Sequence, residues 1–304
     1  MKVRPQYYIG LFLRLFKESF IELSKNDPLR MAGATAFFTT FALPPILVII
    51  IQVLKLILDP MQVRIELFES LSDIVGQEAV QQIRNILIAF RSLATNWYVI
   101  IGGFLFLLFV ATTLFKIIKG SINQIWKIRI LEKQRIGSRL KERLQAIMVI
   151  VFAGILFVLG LMIEASQAFL GNYIQELLPG LAFYFNNVVR NIISVLIVTL
   201  WFAIMFRYLP DGRPSWAVAF IGGLVTSLLF TGGKVLLRFL LSYSNLNNIY
   251  GTSTSIVLLL LFVFYSSLIL YFGATFTKLW SIHKKRPIKL LHHAVNYRIT
   301  EVHE

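Results

Sequence analysis

Six apolar runs constrain this chain more than anything else in it, because each is long enough to cross a bilayer. They occupy residues 31–58, 97–115, 146–163, 188–208, 216–241 and 254–280. A hydrocarbon core about 30 Å thick takes roughly 20 residues of helix. Lipid offers the backbone no hydrogen-bond partner, so only helices and closed barrels span it. Barrel strands alternate apolar and polar residues, and these runs do not. The expected fold is all-α: a polytopic integral membrane protein with six transmembrane helices and amphipathic interfacial helices.

The composition agrees. Apolar residues make up 57% of the chain and charged residues 15%, against about a quarter charged in soluble domains. The stretches between runs are too short to bury a core of their own. Three regions are expected: an amphipathic amino-terminal segment over 1–30, the six-helix domain over 31–280 and a basic tail over 281–304. The first 30 residues carry charges throughout and show no signal-peptide pattern. With no cysteine, there is no disulfide, thiolate nucleophile or cysteine-ligated metal.

Positive charge is sorted to one side of the runs. Lys and Arg total 30 against 15 Asp and Glu. Most of them lie before the first run, in the 116–145 connection (Lys116, Lys119, Lys127 and Arg129 among them), at Arg207 and Arg213, and after Lys278. The other side holds Lys55, Arg64, Arg84, Arg91, Arg190, Lys234 and Arg238. The positive-inside rule places both termini in the cytoplasm. The basic loops suit anionic lipid headgroups. They lack the stacking platform that nucleic-acid binding needs, so no nucleic-acid partner is expected.

Residues 7–24 read as an amphipathic helix, with Leu11, Leu15, Phe16, Ser19, Phe20 and Leu23 on its apolar face, lying along the inner membrane surface. Asp27-Pro28 marks the next helix start, with Asp27 as N-cap and Pro28 at the first helical position. Segment 59–96 reads as two amphipathic helices broken near Gly76. They either cap the outer mouth of the bundle or lie in the interface. The 116–145 connection reads as an elbow helix resting on lipid. A weak echo links Trp97-Tyr98-Val99, ahead of Gly102-Gly103, with Trp216-Ala217-Val218, ahead of Gly222-Gly223; inverted repeats of this kind occur in transporters.

Candidate functional residues fall in two groups. Lys234 and Arg238 share one face of a run near its outer end, and with Arg190 and Glu164 they form a candidate site for an anionic headgroup or solute. Snorkelling to lipid phosphates is the simpler reading of the same lysine and arginine. Pro44 and Pro45, after Thr39 and Thr40, remove helical hydrogen bonds in mid-run. They mark either a packing kink or a site on a broken helix. Gly222, Gly223, Gly232 and Gly233 allow close helix approach or a deformable path. No motif for a metal, nucleotide or catalytic constellation appears, so neither cofactor nor enzymatic activity is expected. His292 and His293 read as solvated.

Several of these marks together resemble the YihY/BrkB membrane protein family, historically also labelled ribonuclease BN. They are Asp27, Ala32-Gly33-Ala34, Phe37-Phe38, the proline at 44 or 45, Arg207-Tyr208-Leu209-Pro210, Pro214-Ser215-Trp216, Tyr250-Gly251-Thr252 and Gly273-Ala274. The resemblance covers about 27–280. It departs at Ala42, where the family commonly has Ser, and at Thr275, where it often has Glu. Mechanisms needing that serine or acid do not carry over. The resemblance implies a bacterial inner-membrane protein with proposed roles in envelope lipid transport and serum resistance. Its nuclease label finds no acidic metal-binding cluster here. The leading expectation is transport or translocation of a lipid-like or anionic envelope molecule. The alternatives are a non-transporting scaffold or assembly factor and, more remotely, a ribonuclease. Expected partners are membrane lipids, a second copy of the chain or an envelope protein.

Overall fold

The computed structural model describes residues 5–54, 97–131, 190–243 and 254–298, with isolated helical positions 68, 72, 80, 81, 84, 85 and 88. In chain order the elements are α1 (Pro5–Ser24), α2 (Pro28–Leu54), α3 (Trp97–Trp126), β1 (Ile128–Ile130), α4 (Arg190–Tyr208), β2 (Gly212–Arg213), α5 (Trp216–Tyr243), α6 (Thr254–His283), β3 (Lys289–Leu290) and β4 (Ala294–Asn296). Five of the six expected runs coincide with helices; residues 146–163 lie outside the described residues. Among the described residues, Trp216–Leu237 and Val257–His283 are long and apolar enough to cross a membrane, and Ile192–Tyr208 is a shorter apolar helix.

Helix ends follow local chemistry. α2 begins with Pro28 at its first position, where the missing N–H costs nothing, and the Asp27 carbonyl accepts the Met31 N–H at 3.2 Å. Asp27 itself has φ 53°, outside the extended range usual for an N-cap; it turns the chain out of α1, and its carboxylate lies 3.7 Å from Arg30. α6 ends in a Schellman motif. Lys285, at φ 51°, donates to the Ile282 carbonyl at 3.0 Å, Arg286 donates to Ser281 at 2.9 Å, and Pro287 prevents further helix. α2 runs through Pro44 and Pro45 as one helix. Thr40 Oγ1 donates to the Ala36 carbonyl at 2.9 Å.

Two expectations near the helix termini are corrected. The helix entered at Trp97 does not stop near residue 115; it continues to Trp126, because Ile122, Ile125 and Trp126 have a core to enter and are buried. The 116–145 connection therefore starts as this helix and continues as strand β1, and residues 132–145 lie outside the described residues. α1 packs one face on protein, while Leu13 and Ile21 are exposed. Leu15, Ser19 and Leu23 are buried, while Phe20, expected on the same face, is 67% exposed. Phe12 and Phe16 meet Phe276 and Phe272 of α6 at 5.5 and 4.7 Å between ring centroids.

The chain divides into two compact units. The first comprises Met1–Met31, Ile118–Leu229 and Leu268–Glu304. Its core includes Ile122, Ile125, Phe206, Val218, Tyr271 and Phe276. Here the end of the chain folds back on the loops. β1 pairs antiparallel with β4, and β2 with β3. α5 and α6 interlock through small residues. A Cβ on Gly222 would stand 1.9 Å from Thr277 Oγ1, and one on Gly273 would stand 1.8 Å from Thr226 Oγ1. Each threonine hydroxyl donates to the glycine carbonyl four residues back on its own helix, Thr226 to Gly222 and Thr277 to Gly273, both at 2.7 Å. Gly223 faces the other way, where a Cβ would meet the Thr199 carbonyl oxygen of α4 at 2.6 Å.

The second unit comprises Ala32–Ile117 and Phe230–Ser267. In it Tyr265 Oη donates to the Phe230 carbonyl at 3.0 Å and fills the space a side chain on Gly233 would need. Described positions on both sides of Gly76 are helical, and the Arg84 guanidinium lies 4.9 Å from the Phe68 ring. The rest of 59–96 lies outside the described residues.

Candidate functional site

Within the first unit, the loop after α4 places one carboxylate in a dry setting. Asp211 is 1% exposed, and a buried charge persists only when paired and hydrogen-bonded. Its partners come from two distant parts of the chain. Lys119 Nζ lies 2.8 Å from Oδ1, and Asn123 Nδ2 donates to Oδ2 at 2.6 Å. Lys119 and Asn123 are one helical turn apart on α3, so they present to one side. Asn123 Oδ1 also accepts the Asp211 backbone N–H at 2.9 Å, so a single amide reads both the carboxylate and the backbone. From the end of the chain, His293 Nε2 stands 3.0 Å from Oδ1, and the Leu291 N–H donates to the Asp211 carbonyl at 3.0 Å. The expectation that His293 is solvated is thus corrected, since β4 draws it onto the carboxylate; His292 is exposed.

A second polar knot joins α1, α3 and α6. Lys278 Nζ donates to Glu22 Oε1 at 3.1 Å and to the Ile125 carbonyl at 2.8 Å. Trp126 Nε1 donates to the Ala274 carbonyl at 2.8 Å. Lys127, at φ 57°, reaches Asn26 Oδ1 at 3.1 Å. The Lys278 bond to Ile125 satisfies one carbonyl at the end of α3, which would otherwise be an orphan acceptor. Both knots sit at the end of the helices where basic residues collect.

Beside Asp211 lies an aromatic and cationic corner. The Arg207 guanidinium is 4.8 Å from the Trp216 ring and 5.8 Å from Tyr208. Arg207 Nη1 donates to the Pro214 carbonyl. Arg207 Nε and Ser215 Oγ are buried and have no hydrogen-bond partner. Arg213 lies 5.9 Å from the same Tyr208 ring.

The residues expected to bind substrate are distributed as follows. Lys234 lies on α5, its Nζ 5.8 Å from the Phe230 ring centroid. Arg238 is one turn further along the same helix and Arg190 opens α4; the side chains of both are outside the described residues, as are Glu164, Tyr250 and Gly251. Thr39 and Thr40 are half-buried on α2, Gly232 is exposed with open space where a Cβ would stand, and Pro210 is buried next to Asp211 in the chain. At the two departures from the family pattern, Ala42 and Thr275 are both buried, and Thr275 Oγ1 donates to the Tyr271 carbonyl at 2.8 Å. Among the described residues, no three His, Asp or Glu side chains cluster as a metal site would require.

Asp211 was not singled out in the sequence. The available signal was a lone acid between Pro210 and Gly212 inside a basic region, and its partners are 88 and 82 residues away.

Comparison with known proteins bears on the whole chain. No solved structure matches it. A UPF0761 membrane protein of Delftia acidovorans is 26% identical over 260 residues, which is 84% of this chain and 60% of that protein's length. UPF0761 membrane protein MS0032 of Mannheimia succiniciproducens is 22% identical over 270 residues, 86% of this chain and 88% of the relative. One from Alteromonas mediterranea is 25% identical over 280 residues, 90% and 88% respectively. The family model for virulence factor BrkB matches residues 19–297, so nearly all of both units is covered and the chain belongs to the BrkB family of membrane proteins.

Proposed function

We propose that this protein translocates a lipid-like or anionic envelope molecule across a bacterial inner membrane, through six spans with both termini in the cytoplasm. The observation that carries this reading is Lys234. It lies about 27 Å along α5 from Trp216 at roughly 1.5 Å per residue, in a helix long and apolar enough to span. A cation inside such a helix is costly and marks ion or substrate pathways. Arg238, a turn further on, extends the positive stripe toward the outer side. Membership in a membrane protein family supports the setting.

The test is to extract the protein directly into lipid nanodiscs and identify co-purifying small molecules by mass spectrometry. The wild type is compared with Lys234→Ala/Arg238→Ala and with an unrelated six-span protein. Selective enrichment of one anionic species, lost in the double variant at equal abundance, supports translocation. A profile matching background in both samples sinks it in favour of a scaffold that recruits partners through its basic loops.

A further inference from the structure

We propose that the corner formed by the end of α4, strand β2 and the start of α5 binds a phosphate-type anion. Arg207, Arg213, Lys289 and Ser215 supply the donors, and Tyr208 and Trp216 form the walls. Three features on different elements point to it. The first is a like-charge pair: Arg213 and Lys289 stand directly opposite each other in the β2–β3 register, and both are exposed. Like charges placed so repel, and among the described residues neither they nor Arg207 reach a carboxylate. An anion held between them turns that repulsion into attraction.

The second feature is the unmet capacity of Arg207. Its guanidinium is stacked near Trp216 and Tyr208, and its Nε has no acceptor. A buried donor left unmet costs about 1–3 kcal/mol, more when charged. The third is Ser215, which precedes the first residue of α5. Its carbonyl accepts the first helical bond from Ala219 at 2.9 Å, while its hydroxyl is buried and bonded to nothing. Ahead of it are the orphan N–H groups of a 28-residue helix, whose dipole favours negative charge there. Asp211, two residues before Arg213, is already engaged by Lys119, Asn123 and His293 and does not neutralise the corner.

Donors arriving from a strand pair, a helix end and a helix start suit an anion with several oxygens, and guanidinium groups match phosphate geometry. Trp216 is 44% exposed, and tryptophan with tyrosine at the end of apolar helices is where headgroups lie. A lipid phosphomonoester and free phosphate present the same chemistry to this corner. The site adds an inner station to the proposed translocation path, but binding is read without transport, so either idea can fail alone.

The experiment uses the full chain in phosphatidylcholine nanodiscs. Inorganic phosphate is titrated by calorimetry, and phosphatidic acid retention is read by native mass spectrometry. The variants are Arg213→Gln/Lys289→Gln, Lys289→Gln and Ser215→Ala, with Lys284→Gln/Lys285→Gln as a charge-matched control elsewhere on the tail. Binding in the wild type should weaken about tenfold in the double variant and about threefold in Lys289→Gln or Ser215→Ala, with the control within about twofold. Retention of phosphatidic acid without phosphate binding supports the site with a lipid headgroup as its source. Phosphate binding that displaces the lipid supports it with free phosphate as its source. Equal loss in the control and the corner variants overturns it, as does absence of binding of both probes to the wild type. Lys289→Gln lies on an exposed strand residue, so it reports even where Ser215→Ala weakens the helix start.

Discussion

Removing one member of a buried ion pair costs far more than the pair contributes, because the partner charge stays behind in a dry place. Asp211 with Lys119 is such a pair, with side chains 1% and 10% exposed. Asp211→Asn should therefore destabilise the protein by about 3 kcal/mol or more, read as a lowered Tm in detergent. Asp211→Leu/Lys119→Met should recover much of the loss, because it removes both charges together. His293, 36% exposed in the same contact, retains water on one side, and His293→Ala should cost about 1 kcal/mol. A larger loss for His293→Ala than for Asp211→Asn would show that the hub is not organised around the carboxylate.

Between elements, the governing contact is the reciprocal Gly–Thr interlock of α5 and α6. Gly273→Ala inserts a methyl where Thr226 Oγ1 already stands, at 1.8 Å, and should cost about 1–3 kcal/mol by overpacking. Adding Thr226→Ala to Gly273→Ala should return part of it, since that removes the hydroxyl 1.8 Å from the same point and the methyl at 3.0 Å. Gly232→Ala, with nothing within 4 Å, should be neutral or slightly stabilising through helix propensity. Equal losses for the two alanine substitutions would refute the packing account. Helix positions were legible because runs of apolar residues begin at Trp97 and Trp216 and soon after Pro28, and these signals are local. The true end of α3 was not, because Lys116 and Lys119 interrupt the apolar run while the buried Ile122, Ile125 and Trp126 lie beyond them. The echo between Trp97 and Trp216 extends to both starting helices, but Gly102 meets open space where Gly222 and Gly223 are tightly packed.

For the whole molecule, sorted charge is the feature with the widest consequence, and the absence of cysteine makes it testable. Single cysteines at the exposed Lys25 and Lys285 should resist a membrane-impermeant maleimide in intact spheroplasts and react once the membrane is opened. A cysteine at the exposed Arg84 should react at once. Labelling at Lys25 or Lys285 in sealed cells would overturn the inside placement of the termini. The mostly helical character and the family were readable from run length and short motifs because both depend on neighbouring residues. The Asp211 hub and the β1–β4 and β2–β3 pairs were not, because they join segments far apart in sequence, and only folding brings them together.

The return of the last residues onto β1 and β2 has a consequence for how the protein is made. The His293 ring and the Leu291 N–H reach Asp211 only after residues 291–293 have left the ribosome. Until then the acid has Lys119 and Asn123 alone, and two strands present open edges. A chain terminated before residue 289 therefore lacks both of those partners and both pairing strands, and limited proteolysis would read the difference.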